Sequence, residues 1–253
     1  GLDAGDASRV GADHSVATET STATQIEVLR GPATLFYGSG AIGGVVNVID
    51  NRVPKSNDTI ADWLLQYNDV SDEKQGSFSL QTGQENLAFH LDGFWRDAGN
   101  YKLPNGFDAH EEDEHEEDEH EEEQSSHLAN TSSKSHGFTV GSSYLFDQGF
   151  IGFSYGRLDR DYGIPGHSHD DHEDEHDEDE HEEDEHEEEL GTTAKMKQNR
   201  LQLLSEMNVD NSFIKQFNTK FSYTDYQHQE VEAGAIGTTF SNKSLEAKVD
   251  LYH

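Results

Sequence analysis

The sequence predicts an all-β protein, a transmembrane antiparallel β-barrel, and three observations lead to this fold class. Segments of about ten residues alternate between apolar and polar side chains, as strands with one apolar and one polar face do. Tight turns alternate with long connections along the chain. No apolar run reaches the length of about 18 residues that a transmembrane helix needs, whereas a barrel strand crosses a bilayer in about 9–11 residues.

The first fifty residues precede the alternating segments and have a different character. Residues 1–24 are small and polar, and short strands are predicted over 26–29 and 45–49. Pro32 is well placed to begin one or two helical turns that end at Gly38. A G-x-G-x-x-G spacing in this segment matches the dinucleotide fingerprint, but that motif needs a strand before it and a helix after it. The predicted order is reversed here, so we reject nucleotide binding.

Eight alternating segments follow from residue 60 onward. In one of them Leu87, Phe89 and Leu91 share a face, while His90 and Asp92 take the other. The predicted strands cover residues 61–70, 75–83, 86–97, 137–146, 149–159, 197–208, 213–227 and 240–253.

The connections between the predicted strands are short and long in turn. The long connections cover residues 98–136, 160–196 and 228–239. Alternate connections of an up-and-down meander lie at opposite ends of the sheet, so the three long connections share one end. This is the pattern of an outer-membrane barrel, whose long loops face outward. A soluble β-sandwich is the alternative, but a sandwich rarely keeps one rim so much longer than the other.

Two stretches within the long connections consist almost entirely of His, Asp and Glu. We call residues 110–123 and 167–189 the His/acid tracts; they hold 9 of the 15 histidines and 27 of the 52 acidic residues, with no Lys or Arg. Imidazoles and carboxylates are ligands for zinc and related divalent cations. The tracts therefore predict capture of divalent metal. Their candidate ligands are His110, His115, His120, His167, His169, His172, His176, His181 and His186.

The spacing of the tract histidines indicates weak and exchangeable binding. Most of them recur at every fifth position, which lines neither one face of a helix nor one face of a strand. High charge without apolar residues predicts loops that are disordered until they bind metal. A solvated acidic run that only keeps the surface soluble is the alternative, but such a run would not need nine histidines.

Composition excludes several other classes of function. The formal net charge of −35 argues against nucleic acid as a partner, because phosphate binding needs Lys and Arg. The chain has no cysteine, which excludes thiolate metal sites and disulfides. A metalloenzyme is disfavoured because no compact H-x-x-x-H helix is predicted. We therefore expect neither enzymatic activity nor an organic cofactor.

The segment IEVLRGPATLFYGSGAIGGVVNVID at 26–50 resembles the end of the plug signature of TonB-dependent outer-membrane receptors. Three further segments are similar to the zinc-uptake (ZnuD-type) branch of that family. They are YKLP at 101–104, YGIPGHSH at 162–169 and TDYQHQEVEAGAIGTTFSN at 224–242.

The resemblance implies a plug domain inside a 22-stranded barrel in the outer membrane of a Gram-negative bacterium, surrounded by lipid. It also implies a TonB-type energy-transducing partner, whose binding box is not in this chain. Residues 1–54 would be the C-terminal part of the plug and 55–253 about the first eight strands, so we interpret the chain as an internal part of a larger receptor. A complete eight-stranded barrel is the alternative, but side chains fill its interior and leave no room for a plug segment.

A tighter metal site is expected where the plug meets the barrel. The resemblance places His14 in an outward-facing plug loop. His228, Glu230 and Glu232 lie at the outer end of a predicted strand and project to one side if the strand is extended. These three form a half-site for zinc that His14 would complete. The alternative for each is a solvated surface or rim residue.

Together these features predict a ligand-gated importer of a divalent metal, with zinc as the cargo. A receptor for haem or another chelate, for nickel, cobalt or copper, and a surface protein that buffers metal without transport remain alternatives. Zinc binding needs deprotonated imidazoles, so binding should weaken as the pH drops through the histidine range near 6.5.

Overall fold

The computed structural model describes residues 18–32, 42–104, 126–165, 191–209, 213–232 and 234–253. All regular structure within these ranges is β-strand. No helix long and apolar enough to cross a membrane occurs in the same ranges. In chain order the strands are β1 (Gln25–Arg30), β2 (Gly44–Ile49), β3 (Ile60–Asn68), β4 (Glu73–Gln84), β5 (Leu87–Ala98), β6 (Tyr101–Lys102), β7 (His127–Leu128), β8 (Ser133–Phe146), β9 (Gly149–Gly163), β10 (Thr193–Asn208), β11 (Gln216–Glu232) and β12 (Ala235–Tyr252).

Eight long strands form one antiparallel sheet in the order β12-β11-β10-β9-β8-β5-β4-β3. Strands that follow one another in the chain lie side by side, so the sheet is an up-and-down meander. Within the described ranges β3 and β12 are its two edges, and the sheet is that of a partial barrel. The predicted all-β antiparallel barrel architecture is confirmed, and the ends of the eight predicted strands differ from the observed ends by up to five residues.

The two faces of the sheet have the opposite polarity from those of a soluble protein, because polar side chains are buried and apolar side chains are exposed. Polar side chains such as Gln75, Asp92 and Ser154 are buried on one face, which we call the inner face. The opposite, outer face exposes large apolar side chains continuously from strand to strand. An apolar surface of this extent is unfavourable in water but fits the lipid-facing band of a membrane barrel. Its members include Trp63, Phe78, Leu91, Phe138, Phe153, Leu203, Phe221 and Leu245.

The connections confirm two of the three predicted long loops. Residues 99–132 join β5 to β8, and residues 164–192 join β9 to β10. The meander places both at one end of the sheet, the long-loop end, together with the turns 69–72 and 233–234. The opposite, short-turn end carries the turns 85–86 and 147–148 and the connection 209–215.

The third predicted long connection, 228–239, is wrong. β11 continues to Glu232 and β12 begins at Ala235, so a tight hairpin joins them. Gly234 adopts a positive φ of 79° in this turn, which favours glycine. The register shifts once, after Glu230, where β12 carries an extra residue. The glycines of this segment therefore mark a turn and a bulge within paired strands rather than an open loop.

The N-terminal segment lies against the inner face of the sheet. β1 and β2 pair as an antiparallel hairpin and confirm the two predicted short strands. The Ser77 hydroxyl donates a hydrogen bond to the Ser21 carbonyl, and the Ser143 hydroxyl donates one to the Pro54 carbonyl. The predicted helical turns after Pro32 lie outside the described residues. The segment therefore occupies the side of the sheet that becomes the lumen of a barrel.

Candidate functional site

Both His/acid tracts belong to connections that leave the sheet at the long-loop end. The tract histidines and His14 lie outside the described residues. The ends of the two connections are described: Ala98 and Ser133 bound the first, and Gly163 and Thr193 bound the second. A short ladder of β6 with β7 also joins the two ends of the first connection. The strands therefore place the described ends of both tract-bearing connections at the same rim.

His228 lies on the inner face of β11, close to this rim. Its side chain is 1% exposed and lies between two aromatic rings, with centroid distances of 6.3 Å to Tyr162 and 6.1 Å to Phe240. The hydroxyl of Tyr226 lies 3.3 Å from its Nδ1. Strand alternation puts residues 226, 228 and 230 on one face because successive side chains point to opposite faces. Both aromatic rings meet the imidazole edge to face, with interplanar angles of 82° and 89°.

The two carboxylates of the predicted half-site are more accessible than His228. Glu230 is half-buried and Glu232 is exposed at the end of β11. Among the described residues, no three His, Asp or Glu side chains converge in a way that could hold a metal ion. His14, the fourth predicted ligand, lies outside these ranges. The fixed site of His14, His228, Glu230 and Glu232 stays a prediction.

Glu19 connects the N-terminal segment to two strands at the level of His228. Its carboxylate oxygens lie 3.3 Å from Arg96 Nη2 on β5 and 3.9 Å from Arg160 Nη2 on β9. Arg160 also donates a hydrogen bond of 3.1 Å to the Thr18 carbonyl. Arg160 and His228 are both paired with Met196 of β10 and so belong to one row across the sheet. The segment is thus attached at the long-loop end by half-buried charge pairs.

A second charged cluster lies further along the N-terminal segment. Arg52 Nε donates to both carboxylate oxygens of Asp50 at 2.7 and 2.8 Å. Burial raises the pKa of the Asp50 carboxyl, but the hydrogen bonds and charge of Arg52 outweigh burial and hold that pKa below its ordinary value of 3.8. Asp92 of β5 and Arg200 of β10 interact electrostatically with this pair. Asp50 therefore stays ionised where the segment meets the sheet.

His90 and Asp92 form a buried pair on the inner face of β5. His90 Nε2 lies 2.7 Å from Asp92 Oδ2, and the two side chains are 3% and 6% exposed. The sequence predicts the polar face for His90, and alternating residues on one strand are the signal that brings this pair together. No sequence signal marks Glu19 with Arg96, because 77 residues separate them.

Comparison with known proteins gives the family of the N-terminal segment. Residues 2–45 match the TonB-dependent Receptor Plug Domain. The chain is 37% identical over 89 residues to a probable TonB-dependent siderophore receptor, PirA, of Acinetobacter baumannii, covering 35% of this chain and 11% of that protein. It is 38% identical over 96 residues to a hemin receptor of Yersinia pestis, covering 34% of this chain and 13% of that protein. The matches thus span little more than a tenth of these relatives.

Structural comparison agrees with this assignment of the fold. The FrpB iron transporter of Neisseria meningitidis (F3-3 variant) superposes with a TM-score of 0.62 at 9% identity, over 92% of this chain and 35% of that chain. The sheet with its apolar outer face, the segment on its inner face and the plug match together indicate a β-barrel protein with a plug in the outer membrane of a Gram-negative bacterium. The plug match and the relatives support a TonB-dependent receptor.

Proposed function

We propose that this chain forms part of a TonB-dependent importer of a divalent metal ion, with zinc as the cargo. One observation carries the proposal: two tracts rich in imidazole and carboxylate leave the same rim of a sheet whose polar inner face is covered by the plug segment. In this proposal residues 1–54 are the end of the plug and residues 55–253 are the first eight strands of a 22-stranded barrel. The similarity to the zinc-uptake branch in three segments supports the choice of metal.

The tracts act as collectors of cations. Their 27 carboxylates create a negative potential at the rim, which raises the local concentration of divalent metal. Their histidines add selectivity for borderline metals over calcium and magnesium, because those hard cations prefer oxygen ligands. Weak binding at many sites allows rapid release toward the barrel.

A tighter site formed by His14, His228, Glu230 and Glu232 receives the ion. Thr18 lies beside Arg160, which shares a row with His228, and His14 is four residues upstream of Thr18. Four extended residues span at most about 14 Å, so His14 has the reach to approach the rim near His228. One or two imidazoles with two carboxylates suit a zinc ion. The ion is carried and not changed, so we propose no enzymatic activity.

Entry of the ion into the cell needs energy that the outer membrane cannot supply. In this proposal a TonB-type protein pulls on the plug and releases the ion to the inner side. The contacts of Glu19 with Arg96 and Arg160, and the electrostatic interaction of Asp50 with Arg200, are the interactions that must break or move when the plug shifts.

Zinc uptake by cells that express tract variants of the full-length receptor tests the proposal. Replacing both tracts by Gly/Ser sequence of equal length should raise the half-maximal zinc concentration for uptake about tenfold, because the local concentration effect is lost. A matched variant changes only the nine tract histidines to glutamine and keeps every carboxylate. If imidazoles bind the metal, this variant also loses selectivity for zinc over magnesium. Uptake that is unchanged in both variants would contradict the proposal.

Import of haem or a ferric chelate is the second candidate. Relatives named above are described as a siderophore receptor and a hemin receptor. His228 lies against Tyr162 and Tyr226 on the inner face, and both His and Tyr are axial ligands of haem iron. Hemin-dependent growth separates the two cargoes: His228→Ala should abolish it if haem is carried, whereas tract replacement should leave it intact.

A surface protein that buffers metal without transport is the third candidate. Nickel, cobalt and copper are alternative cargoes for either activity, since imidazole sites bind all of them. Deletion of the receptor in zinc-depleted medium distinguishes transport from buffering. A growth defect that added zinc relieves supports import, whereas loss of cell-bound metal without a growth defect supports buffering.

A further inference from the structure

The His90–Asp92 pair leaves one imidazole nitrogen available. His90 Nε2 faces the Asp92 carboxylate, while Nδ1 is buried and has no hydrogen-bond partner among the described residues. Most buried polar atoms in native proteins have a partner, so this nitrogen is a position where a water molecule or an ion would bind.

The Asp92 carboxylate determines which nitrogen of the His90 ring carries the proton and which carries the lone pair. An ionised Asp92 only accepts hydrogen bonds, so Nε2 carries the proton and Nδ1 carries the lone pair. A carboxylate that accepts a hydrogen bond from one ring nitrogen is the usual partner of a histidine that binds metal through the other, because it orients the ring and raises its basicity. His90 is therefore arranged as a metal ligand through Nδ1.

His90 lies far below the rim where the tracts begin. His228 and Arg96 of β5 lie in one row of cross-strand partners. The residues that link them across the sheet are Met196, Arg160 and Ser135. Arg96 is six residues from His90 along the strand, and about 3.3 Å per residue separates the two levels by about 20 Å. His90 is also the fourth residue of β5 from the short-turn end. The pair thus lies toward the exit side of the barrel.

The surroundings of the pair suit a hydrated cation. The row that contains His90 carries polar inner side chains, which are Gln81, Ser154, Gln202 and Ser222. The plug segment adds backbone carbonyls: that of Arg52 lies against Gly141, directly opposite His90, and that of Pro54 accepts from Ser143. Three carboxylates and three cations interact electrostatically here, so the region is close to neutral; they are Asp50, Asp92, Glu246, Arg52, Arg200 and Lys220.

We infer that His90, oriented by Asp92, forms a second metal-binding site inside the barrel, which we call the His90 station. The imported cation binds there on its way from the rim to the short-turn end. The inference rests on the proposed import of a divalent metal. One imidazole, together with water and backbone carbonyls of the plug segment, binds zinc weakly. Weak binding is required at an intermediate site because the ion must leave it again. Gln81 donates to the Ser56 carbonyl, so the plug segment covers this level and must shift before the ion passes on.

Anomalous diffraction at the zinc edge tests the inference on crystals of the full-length receptor soaked in zinc chloride. The expected result is a peak about 2.0–2.1 Å from His90 Nδ1. His90→Gln should abolish this peak, and Asp92→Asn should weaken zinc binding there about 10–100-fold. His136→Gln is the matched control: His136 lies on the neighbouring strand β8 but is 72% exposed on the outer face. This variant should keep the peak.

Uptake measurements separate this inference from the proposed function. His90→Gln should slow zinc uptake about tenfold while zinc still binds at the tracts, and His136→Gln should leave uptake unchanged. Zinc uptake by the wild-type receptor with no peak at His90 overturns the station alone. A wild-type receptor that imports no zinc overturns the proposed function and the station with it.

Discussion

At the scale of single residues, two glycines decide how closely the plug segment approaches the sheet. A Cβ at Gly141 would overlap the carbonyl oxygen of Arg52, and a Cβ at Gly152 would lie 2.6 Å from a methyl carbon of Val53. Both glycines lie on the inner face, where residues 52–54 run across β8 and β9. The missing side chains therefore allow backbone and sheet to touch directly.

We predict that Gly141→Ala loosens the plug. The added methyl group cannot fit without moving the Arg52 carbonyl, and overpacking of this kind costs about 1–3 kcal/mol. The measurement is the thermal unfolding midpoint of the purified receptor, with protease sensitivity of the N-terminal segment. Gly156→Ala is the control, because its nearest contact would be a Thr139 side-chain atom at 3.3 Å. Equal losses in both variants would contradict a local effect at Arg52.

Asp50 gives a pH-dependent contribution to plug stability. Its pKa in the folded protein lies below the ordinary value of 3.8, so the ionised form is favoured by folding. The stabilisation by ionised Asp50 is complete when the pH is above the pKa of Asp50 in the unfolded chain. It is lost as the pH falls through the lower pKa of Asp50 in the folded protein. We predict that plug protection from protease declines below about pH 4 in the wild type and that Asp50→Asn removes this component.

Asp69→Asn is the control for that experiment, since Asp69 is exposed in the turn between β3 and β4. It should follow the wild-type pH curve. A wild-type curve that Asp50→Asn reproduces throughout would show that the Asp50–Arg52 pair does not govern docking.

At the scale of elements, the plug segment is attached to the sheet at two levels. Glu19 bridges β5 and β9 near the long-loop end, and residues 50–55 pair with polar groups toward the short-turn end. Lys55, for example, lies 3.4 Å from Glu206 of β10. Most of these contacts are polar rather than apolar, so they can exchange for water when the plug moves.

We predict that Glu19→Gln weakens attachment at the long-loop end without unfolding the barrel. Glu19 is 8% exposed, and its replacement removes the one carboxylate that contacts both Arg96 and Arg160 in the described part of the chain. Charge-assisted contacts of this kind contribute about 1.5–3 kcal/mol. Hydrogen exchange of residues 18–32 should accelerate, while exchange of the β4–β5 and β8–β9 ladders stays the same.

Glu27→Gln is the matched control, because Glu27 bonds only Gln25 and Asn47 in its own hairpin among the contacts described. It should leave the exchange of residues 18–24 unchanged. Exchange that rises equally in both variants would assign the effect to the hairpin and not to the bridge.

At the scale of the whole molecule, charge is separated between rim and barrel. The tracts carry 27 of the 52 acidic residues, whereas Glu19 and Glu206, where the plug segment meets the sheet, lie beside arginines and a lysine. An ion would therefore meet a strong negative potential at the rim and a nearly balanced interior. This arrangement is the one that the proposed capture of metal at the rim requires.

The proposed capture predicts a pH dependence of zinc binding by the whole receptor. Zinc binds neutral imidazole, so binding should weaken as the pH falls through the histidine range near 6.5. Zinc titration of the receptor, and of a peptide with the sequence of one tract, between about pH 5.5 and about pH 8 measures this. A flat response would count against imidazole ligation and leave carboxylates as the ligands.

Much of the fold follows from local pattern. The alternation in segments such as Leu87–Ala98 predicts strands because the two faces meet different surroundings, and the tight turns at 85–86 and 147–148 are equally local. The same reasoning failed at residues 228–239, because glycines in a hairpin turn and a bulge resemble a loop when their strand partners are unknown.

The sequence by itself determined the class of fold, the eight strands, the plug signature and the His/acid composition on which the proposed metal binding rests, since each depends on neighbours in the chain. Only the tertiary structure decided which polar groups meet inside. Glu19 reaches Arg160 across 141 residues of chain, and His90 Nδ1 has no hydrogen-bond partner in the described part of the strands and plug segment. Such contacts depend on strand register and plug placement, and composition and periodicity carry information about neither.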